Sequence, residues 1–309
     1  MVDEHQPVLL DEVIEALNIH ADGFYIDGTF GRGGHSKAIL QSLGDNGRLL
    51  AFDKDPEAIA FASNELNNDP RFTLIQGSFT MLRTQVEKHN MSGKVAGVLL
   101  DFGVSSPQLD NPQRGFSFRF DAPLDMRMDT TQGVPVSGWL NKAEEKEIAD
   151  VIYQYGEERA SRRIARAIVS YREKQAINTT SQLAEIIKSL LSSKKQDIHP
   201  ATKTFQALRI FINNELQEIE DVLPQAVDVL AEQGRLVAIS FHSLEDRIVK
   251  RFIRDESRPK DLPREIPIMP DASGLRLKPI GKKLRATEQE IKQNPRARSA
   301  VARVAEKLH

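Results

Sequence analysis

The residues best suited to chemistry lie in one run, Tyr25-Ile26-Asp27-Gly28-Thr29-Phe30-Gly31-Arg32-Gly33-Gly34-His35, with Asp53 eighteen positions beyond its end. A short apolar stretch ends there in an acid, and glycines let the backbone turn sharply and approach a ligand. A helix opening at His35 would aim its first N–H groups back into the turn. Asp53 closes a second apolar stretch, Leu49 to Phe52, and an acid at that distance is placed to accept hydrogen bonds from both hydroxyls of a ribose. The pattern describes a nucleoside pocket. Counting GxGxxG from Gly31 puts Ser36 where the third glycine belongs, so a pyrophosphate is not clearly expected.

Regular elements must hold these groups in place. Pro7 followed by Leu9, Leu10, Val13, Ile14 and Leu17 reads as an entry helix. Periodicity then predicts strand 24–27, helix 35–43, strand 48–53, helix 56–66, strand 72–76, helix 80–89 and strand 95–101. Such alternation predicts an α/β fold, a Rossmann-like, doubly wound and mostly parallel sheet. Residues 103–135 read as a long loop, and 141–195 are helical in pattern with no strand between them. A helical stretch from Thr204 to Leu230 follows, with Pro224 as its break. Strand 235–240 and a helix from Ser243 complete the sheet. Ser243 and Asp246 are the expected capping box of that helix, and Leu244, Ile248 and Phe252 its apolar face. The expected division is a discontinuous domain, 1–108 and 204–309, interrupted by a loop and all-helical insertion, 109–203.

At 309 residues, a core with an inserted unit is the natural expectation. Hydrophobic content of 40% and charged content of 28% are those of a soluble globular protein. No apolar run approaches a membrane span and Met1-Val2-Asp3-Glu4-His5 is acidic where a secretory signal is basic, so a cytoplasmic location without membrane contact is expected. The absence of cysteine removes disulfides, thiolate metal sites and cysteine nucleophiles. A formal net charge of -2 argues against a general nucleic-acid-coating protein. From Arg276 onward, ten basic side chains face only Glu288, Glu290 and Glu306, which reads as a solvated tail or as a contact for an anionic partner.

In open parallel sheets the ligand lies outside the carboxyl ends of the strands. Here those ends carry Asp27, Asp53, Gly77-Ser78-Phe79, Asp101 with Phe102-Gly103-Val104-Ser105-Ser106, and Ser240-Phe241-His242. Singly, each has a plain structural alternative: a cap or turn for an acid, core for Phe79. Jointly and in this order they fit hydride transfer with a nicotinamide or methyl transfer from S-adenosylmethionine. Ser36 disfavours the first. The acid at the fourth strand end favours the second, because the acceptor atom must reach the methyl in line at that edge.

Several longer motifs resemble one family end to end. They are His5-Gln6-Pro7-Val8-Leu9-Leu10, Asp27 to Ser36, Asp101 to Ser106, Pro123-Leu124-Asp125-Met126-Arg127-Met128, Gln206-Ala207-Leu208-Arg209-Ile210, Ser240 to Arg247 and Asn294 to Ala300. The chain is similar to the bacterial small-subunit ribosomal RNA cytosine-N4 methyltransferases, the RsmH or MraW family. That resemblance implies methylation, with S-adenosylmethionine as donor, of the exocyclic amine of one cytidine in the decoding region of 16S ribosomal RNA. It implies the small ribosomal subunit or its precursor as partner, with a homodimer left open. It also implies cofactor contacts from Gly33, Gly34, His35, Asp53, Phe79, Asp101 and Gln108.

A cytosine N4 lone pair is delocalised into the ring, so an acceptor oxygen must hold the amine before it can attack. As the methyl arrives the nitrogen turns acidic, and a weak carboxylate base or water suffices to take its proton. Methylation at ring carbon C5 would instead need a covalent nucleophile, usually cysteine. Asp101 is the candidate catalytic residue. Asp101-Phe102-Gly103-Val104 stands where many amino-methylating enzymes carry Asp/Asn/Ser-Pro-Pro-aromatic, which leaves open whether Asp101 grips the cofactor, the target amine or both. Asp125, Ser105 and His242 are lesser candidates. No metal is expected, since no second histidine or acid is recognised at ligand spacing from His242. For RNA, Arg159, Arg162, Arg163 and Arg166 fall on one helical face of the insertion, opposite Ile164, Ile168 and Tyr171; a solvated face offset by Glu158 is the alternative. Arg114-Gly115-Phe116-Ser117-Phe118 reads as a packed loop or as a stacking platform for an extruded base. Beside the methyltransferase stand a nicotinamide oxidoreductase and a non-catalytic RNA-binding protein. The intact glycine loop with Asp53 and Asp101 argues against the last.

Overall fold

Apolar runs buried on both faces form the parallel strands at the centre of the molecule. The computed structural model describes residues 7–62, 66, 68–191, 199–259 and 274–309. The chain opens with α1 (Leu10–Leu17), β1 (Phe24–Asp27), α2 (Gly34–Ser42), β2 (Arg48–Asp53), α3 (Pro56–Ala62), β3 (Phe72–Gln76), α4 (Leu82–Lys88) and β4 (Val95–Asp101). All four strands have the expected limits. The end of the helix expected over 56–66 falls partly outside the described residues. Ahead of α4, Ser78 Oγ accepts the Thr80 N–H at 3.2 Å and caps a 3-10 turn, Phe79–Met81, so the α-helix begins two residues later than expected.

Six helices follow: α5 (Ser106–Asp110), α6 (Val136–Leu140), α7 (Glu145–Gly156), α8 (Ser161–Arg172), α9 (Thr180–Leu190) and α10 (Thr202–Ile212). After them come α11 (Glu215–Val229), β5 (Leu230–Ser240), α12 (Ser243–Glu256), β6 (Leu277–Pro279), β7 (Leu284–Arg285), α13 (Glu288–Gln293) and β8 (Val301–Lys307). The sheet runs β3-β2-β1-β4-β5-β8-β6, with β7 also on β8. The first five strands are parallel, and β8 is antiparallel to β5, β6 and β7. One sheet face packs Tyr25, Leu49, Ala51 and Leu99 with Val13, Leu17 and Ile39 of α1 and α2. The other packs Ile26, Leu50, Phe52 and Leu100 with Leu82, Val222 and Val249 of α4, α11 and α12. Among the described residues no helix is long and apolar enough to cross a membrane.

The chain divides into two compact units, one formed by the segments up to Gly103 and from Leu216 onward, the other by Val104–Glu215. The second is wider than the expected 109–203, for two reasons. In the expected loop, α5 forms on a capping box between Ser105 and Gln108, while Leu124 and Met126 are fully buried with Ile148, Ile152 and Ile164. The buried Arg114 side chain donates to the carbonyls of Arg127 and Met128 at 3.0 and 2.9 Å, which fastens that segment. At the other boundary, the helix expected over 204–230 is two helices. Asn214 adopts φ 53°, the left-handed region that asparagine tolerates, and breaks them; Pro224 lies within α11. α10 buries Phe205 and Leu208 in the second unit's own core.

The basic segment after Arg276 is a folded part of the sheet, contrary to the solvated tail. Arg303 makes a bidentate pair with Asp246 at 2.6 and 3.0 Å, and Lys307 Nζ donates to the Leu230 carbonyl at 2.6 Å. Arg276 pairs with Asp228 and Glu256. Because Asp246 is engaged with Arg303, the cap of α12 shifts by one residue: His242 is the N-cap and Glu245 its partner, in place of Ser243 and Asp246.

Candidate active site

Strand register assembles the acids. Asp27 lies opposite Ala51 in β2 and Leu99 in β4, so Asp53 and Asp101 each stand two residues further along their strands. Alternation with period two then puts Asp27, Asp53 and Asp101 on the same face at the carboxyl edge. The strand order reverses between β1 and β4, which makes this edge the topological switch point where open α/β sheets hold ligands.

The glycine loop is tied to that edge by its backbone. Gly28 N–H donates to the Leu99 carbonyl, Phe30 N–H to the Phe52 carbonyl and Gly31 N–H to Asp53 Oδ2, at 2.8, 2.8 and 2.7 Å. Gly33 caps α2 at φ 72°, where an L side chain is strained and a Cβ would also meet the Phe30 ring at 2.7 Å. At Gly34 a Cβ would fall 2.1 Å from Pro7 Cγ, so this glycine lets the entry segment lie against the helix N-terminus.

Asp27 is 1% exposed and uses both oxygens inward: Oδ1 accepts the Thr29 N–H at 3.0 Å and Oδ2 the Ser36 hydroxyl at 2.6 Å. Burial pushes its carboxyl up, opposed by the Ser36 hydrogen bond and by His35. Its part is to fasten the loop. Thr29 and Ser36 are the site residues that motif reading passed over, and Ser36 carried a signal, since it occupies the third-glycine position. Thr29 Oγ1 in turn accepts the backbone N–H of Asp101 at 2.7 Å, which links the loop to the fourth strand end.

His35 is buried, and its Nε2 lies 3.0 Å from the Val8 carbonyl, so Nε2 carries the hydrogen and donates. Burial pushes His35 down, against the opposing charge of Asp27, and favours the neutral ring. The other nitrogen, Nδ1, is then an acceptor, 3.9 Å from Asp101 Oδ2. Asp101 Oδ1 is sealed from solvent and has no hydrogen-bond partner among the described residues. Its carboxyl stands well above the usual range because of burial, then the charges of Asp27 and Glu245. Two facing acceptors with an orphaned carboxylate oxygen suit a cationic or amino donor.

Asp53 accepts the N–H groups of Gly31 and Asp55 at 2.7 and 2.8 Å. Burial nevertheless raises it to about 6, the two backbone donors lowering it and the charges of Asp55 and Asp27 adding to the rise. Each oxygen keeps a further lone pair for a hydroxyl donor. Phe79 opens the 3-10 turn after β3, half-buried, with its ring edge-on to Phe102 at 6.0 Å. The first unit thus brings Gly33, Gly34, His35, Asp53, Phe79 and Asp101 to neighbouring strand ends and the loop they hold. Gln108 belongs to the second unit, where it is buried and its Oε1 accepts the Ser105 N–H at 2.9 Å.

The lesser candidates have structural duties. Asp125 grips Arg127 at 2.7 and 2.8 Å; burial would raise its carboxyl, but Arg127 holds it below the usual range. Ser105 caps α5. His242 caps α12, and the expectation that no acid lies at ligand spacing from it fails, since Glu245 Oε1 is 3.0 Å from His242 Nε2. In the insertion, Phe116 is buried and Phe118 stacks on His199 at 4.5 Å, the packed-loop alternative.

Residues 3–308 match the model of the MraW methylase family. The chain belongs to this family. A ribosomal RNA small subunit methyltransferase H from Coxiella burnetii (strain Dugway 5J108-111) is 54% identical over 307 residues, covering 99% of this chain and 100% of that one. Its counterpart in strain CbuG_Q212 is 53% identical over the same span. Among solved structures, an rRNA methylase from Streptococcus thermophilus aligns with TM-score 0.41 and 12% identity, over 97% of this chain and 93% of that one. As a member of the MraW methylases the chain is a methyltransferase, and its methyl donor is S-adenosylmethionine.

Proposed function

We propose that this methylase transfers the methyl group to the exocyclic N4 amine of one cytidine in the decoding region of 16S ribosomal RNA, in the cytoplasm, within the small subunit or its precursor. The names of the relatives support the RNA class. The observation that carries the chemistry is Asp101 at the fourth strand end, whose buried Oδ1 has no hydrogen-bond partner among the described residues and whose Oδ2 lies 3.9 Å from Nδ1 of His35.

Bound S-adenosylmethionine supplies an electrophilic methyl on a positively charged sulfur. In the first unit, Asp53 would accept from its ribose hydroxyls, and Gly33, Gly34 and Phe79 would shape the nucleoside site. Asp101 accepts an N–H of the target amine, which turns the nitrogen lone pair out of conjugation with the ring. A carboxyl held well above the usual range is also a better base for the proton released on methylation. No thiol is present for covalent attack at ring carbon C5, which removes that route, and transfer to an exocyclic amine needs no such nucleophile. In the insertion, Arg159 and Arg162 are exposed, whereas Arg163 donates to the Leu190 carbonyl at 3.2 Å and Arg166 lies 3.7 Å from Glu145. Because α8 begins at Ser161, Arg159 lies ahead of the helical face expected to carry it; Arg159 and the helix-borne Arg162 are the exposed arginines here without an ion-pair partner among the described residues, and they are available to RNA phosphates.

Single-turnover methylation of small-subunit particles by Asp101→Asn and Asp101→Ala at saturating donor tests this reading. Asn keeps an acceptor carbonyl and retains part of the rate, while Ala loses more, within about a hundred- to ten-thousandfold. Wild-type rates for both would remove Asp101 from the chemistry.

A further inference from the structure

The C-terminal half of the first unit carries a second charged feature, distinct from the strand-end site. A groove of about 330 Å³ is lined by α12, the turn after β6, and β8. Six basic side chains line it, Lys250, Arg254, Arg258, Lys282, Lys283 and Arg303, and no acid does. Two are neutralised from its border, Arg303 by Asp246 and Arg254 by Asp255. Lys250, Arg258, Lys282 and Lys283 are exposed and have no ion-pair partner among the described residues. Four positive charges without an ion-pair partner among the described residues therefore line one depression of a chain whose formal net charge is -2.

We propose that this groove docks the phosphodiester backbone of the RNA substrate, a contact separate from the insertion. Lys250 and Arg254 stand four residues apart on α12, a rise of about 6 Å, of the order of the spacing between successive phosphates in a strand, and Arg258 follows just beyond the end of that helix. The opposing cations, Lys282 and Lys283, follow Gly281 (φ 63°) in a turn. Flexible lysine point charges in an open groove suit a run of phosphates, whereas a single small anion calls for a closed, hydrogen-bonded cage. Such contacts set affinity and register and leave sequence to be read elsewhere. The inference rests on the ribosomal RNA reading above.

The test is the binding of a decoding-region RNA fragment at several salt concentrations, by wild type, Lys282→Glu/Lys283→Glu, and a control of equal charge change, Lys88→Glu/Lys94→Glu. The groove variant should bind about tenfold or more weakly, with a log-log salt slope shallower by about 1.4 to 1.8, two phosphate contacts' worth. The control should stay within about twofold, and both variants should keep the wild-type dissociation constant for S-adenosylhomocysteine. Lys282→Gln/Lys283→Gln gives a milder form of the same result should charge reversal disturb folding. Equal weakening in groove variant and control, or an unchanged slope, overturns the proposal. So does retained RNA binding with lost binding of polyglutamate, which would assign the groove to an acidic protein. Failure of the wild type itself to bind the fragment would instead overturn the RNA reading on which the groove depends.

Discussion

Asp53 shows how one residue answers to stability and to ligand at once. Burial raises its carboxyl to about 6, so the folded state holds its proton more tightly than the unfolded chain does. Stability from this group is complete below the unfolded value near 3.8 and is lost as pH rises through about 6. Asp53→Asn should flatten that part of the stability profile, as read by urea denaturation from pH 4 to 7. Ligand binding has the opposite sign, because ribose hydroxyls donate to the ionised form and favour it. Affinity for S-adenosylhomocysteine should therefore rise with pH through about 6, by up to roughly a hundredfold if binding restores an ordinary carboxylate. Asp53→Asn should remove its share of the rise, leaving any part due to His35 and Asp101. Identical profiles for wild type and variant would mean that Asp53 serves the loop alone.

At the scale of elements, the junction of entry segment, glycine loop and α2 carries the site. Gly34→Ala places a methyl against Pro7 and strains the contact that brings the Val8 carbonyl to His35. A loss of about 1 to 3 kcal/mol is expected in denaturant titration; wild-type stability would show that the entry segment yields freely. The first four strands and the loop were legible residue by residue, because apolar runs ending in an acid or a polar residue have few alternatives. So was the service of Asp27, Asp53 and Asp101 at one edge, since parallel register follows from alternation of strand and helix. The hydrogen-bond partners that separate these acids were not legible. Asp27 is consumed by Thr29 and Ser36, while Asp101 keeps an orphaned oxygen. β8 was hidden as well, because Val301, Ala302, Val304 and Ala305 alternate with Arg303, Glu306 and Lys307 in a segment whose charge dominates its pattern. The break at Asn214 depends on one left-handed residue, where Pro224 offered the louder but misleading signal.

At the scale of the whole molecule, the pocket discriminates between cofactor classes. Ser36 stands at the third-glycine position and ties up Asp27, a departure from the dinucleotide-binding loop. S-adenosylhomocysteine at a hundredfold excess over its dissociation constant should add about 2.7 kcal/mol of stability, and NAD none. Equal thermal shifts from both would contradict the methyl-donor site. The choice of acceptor is decided by the product. Incubation with methyl-labelled S-adenosylmethionine and small-subunit particles lacking the modification, followed by digestion to nucleosides, should place the label in N4-methylated cytidine of 16S ribosomal RNA. Label in a ring-methylated base, in another nucleoside or in protein would contradict it.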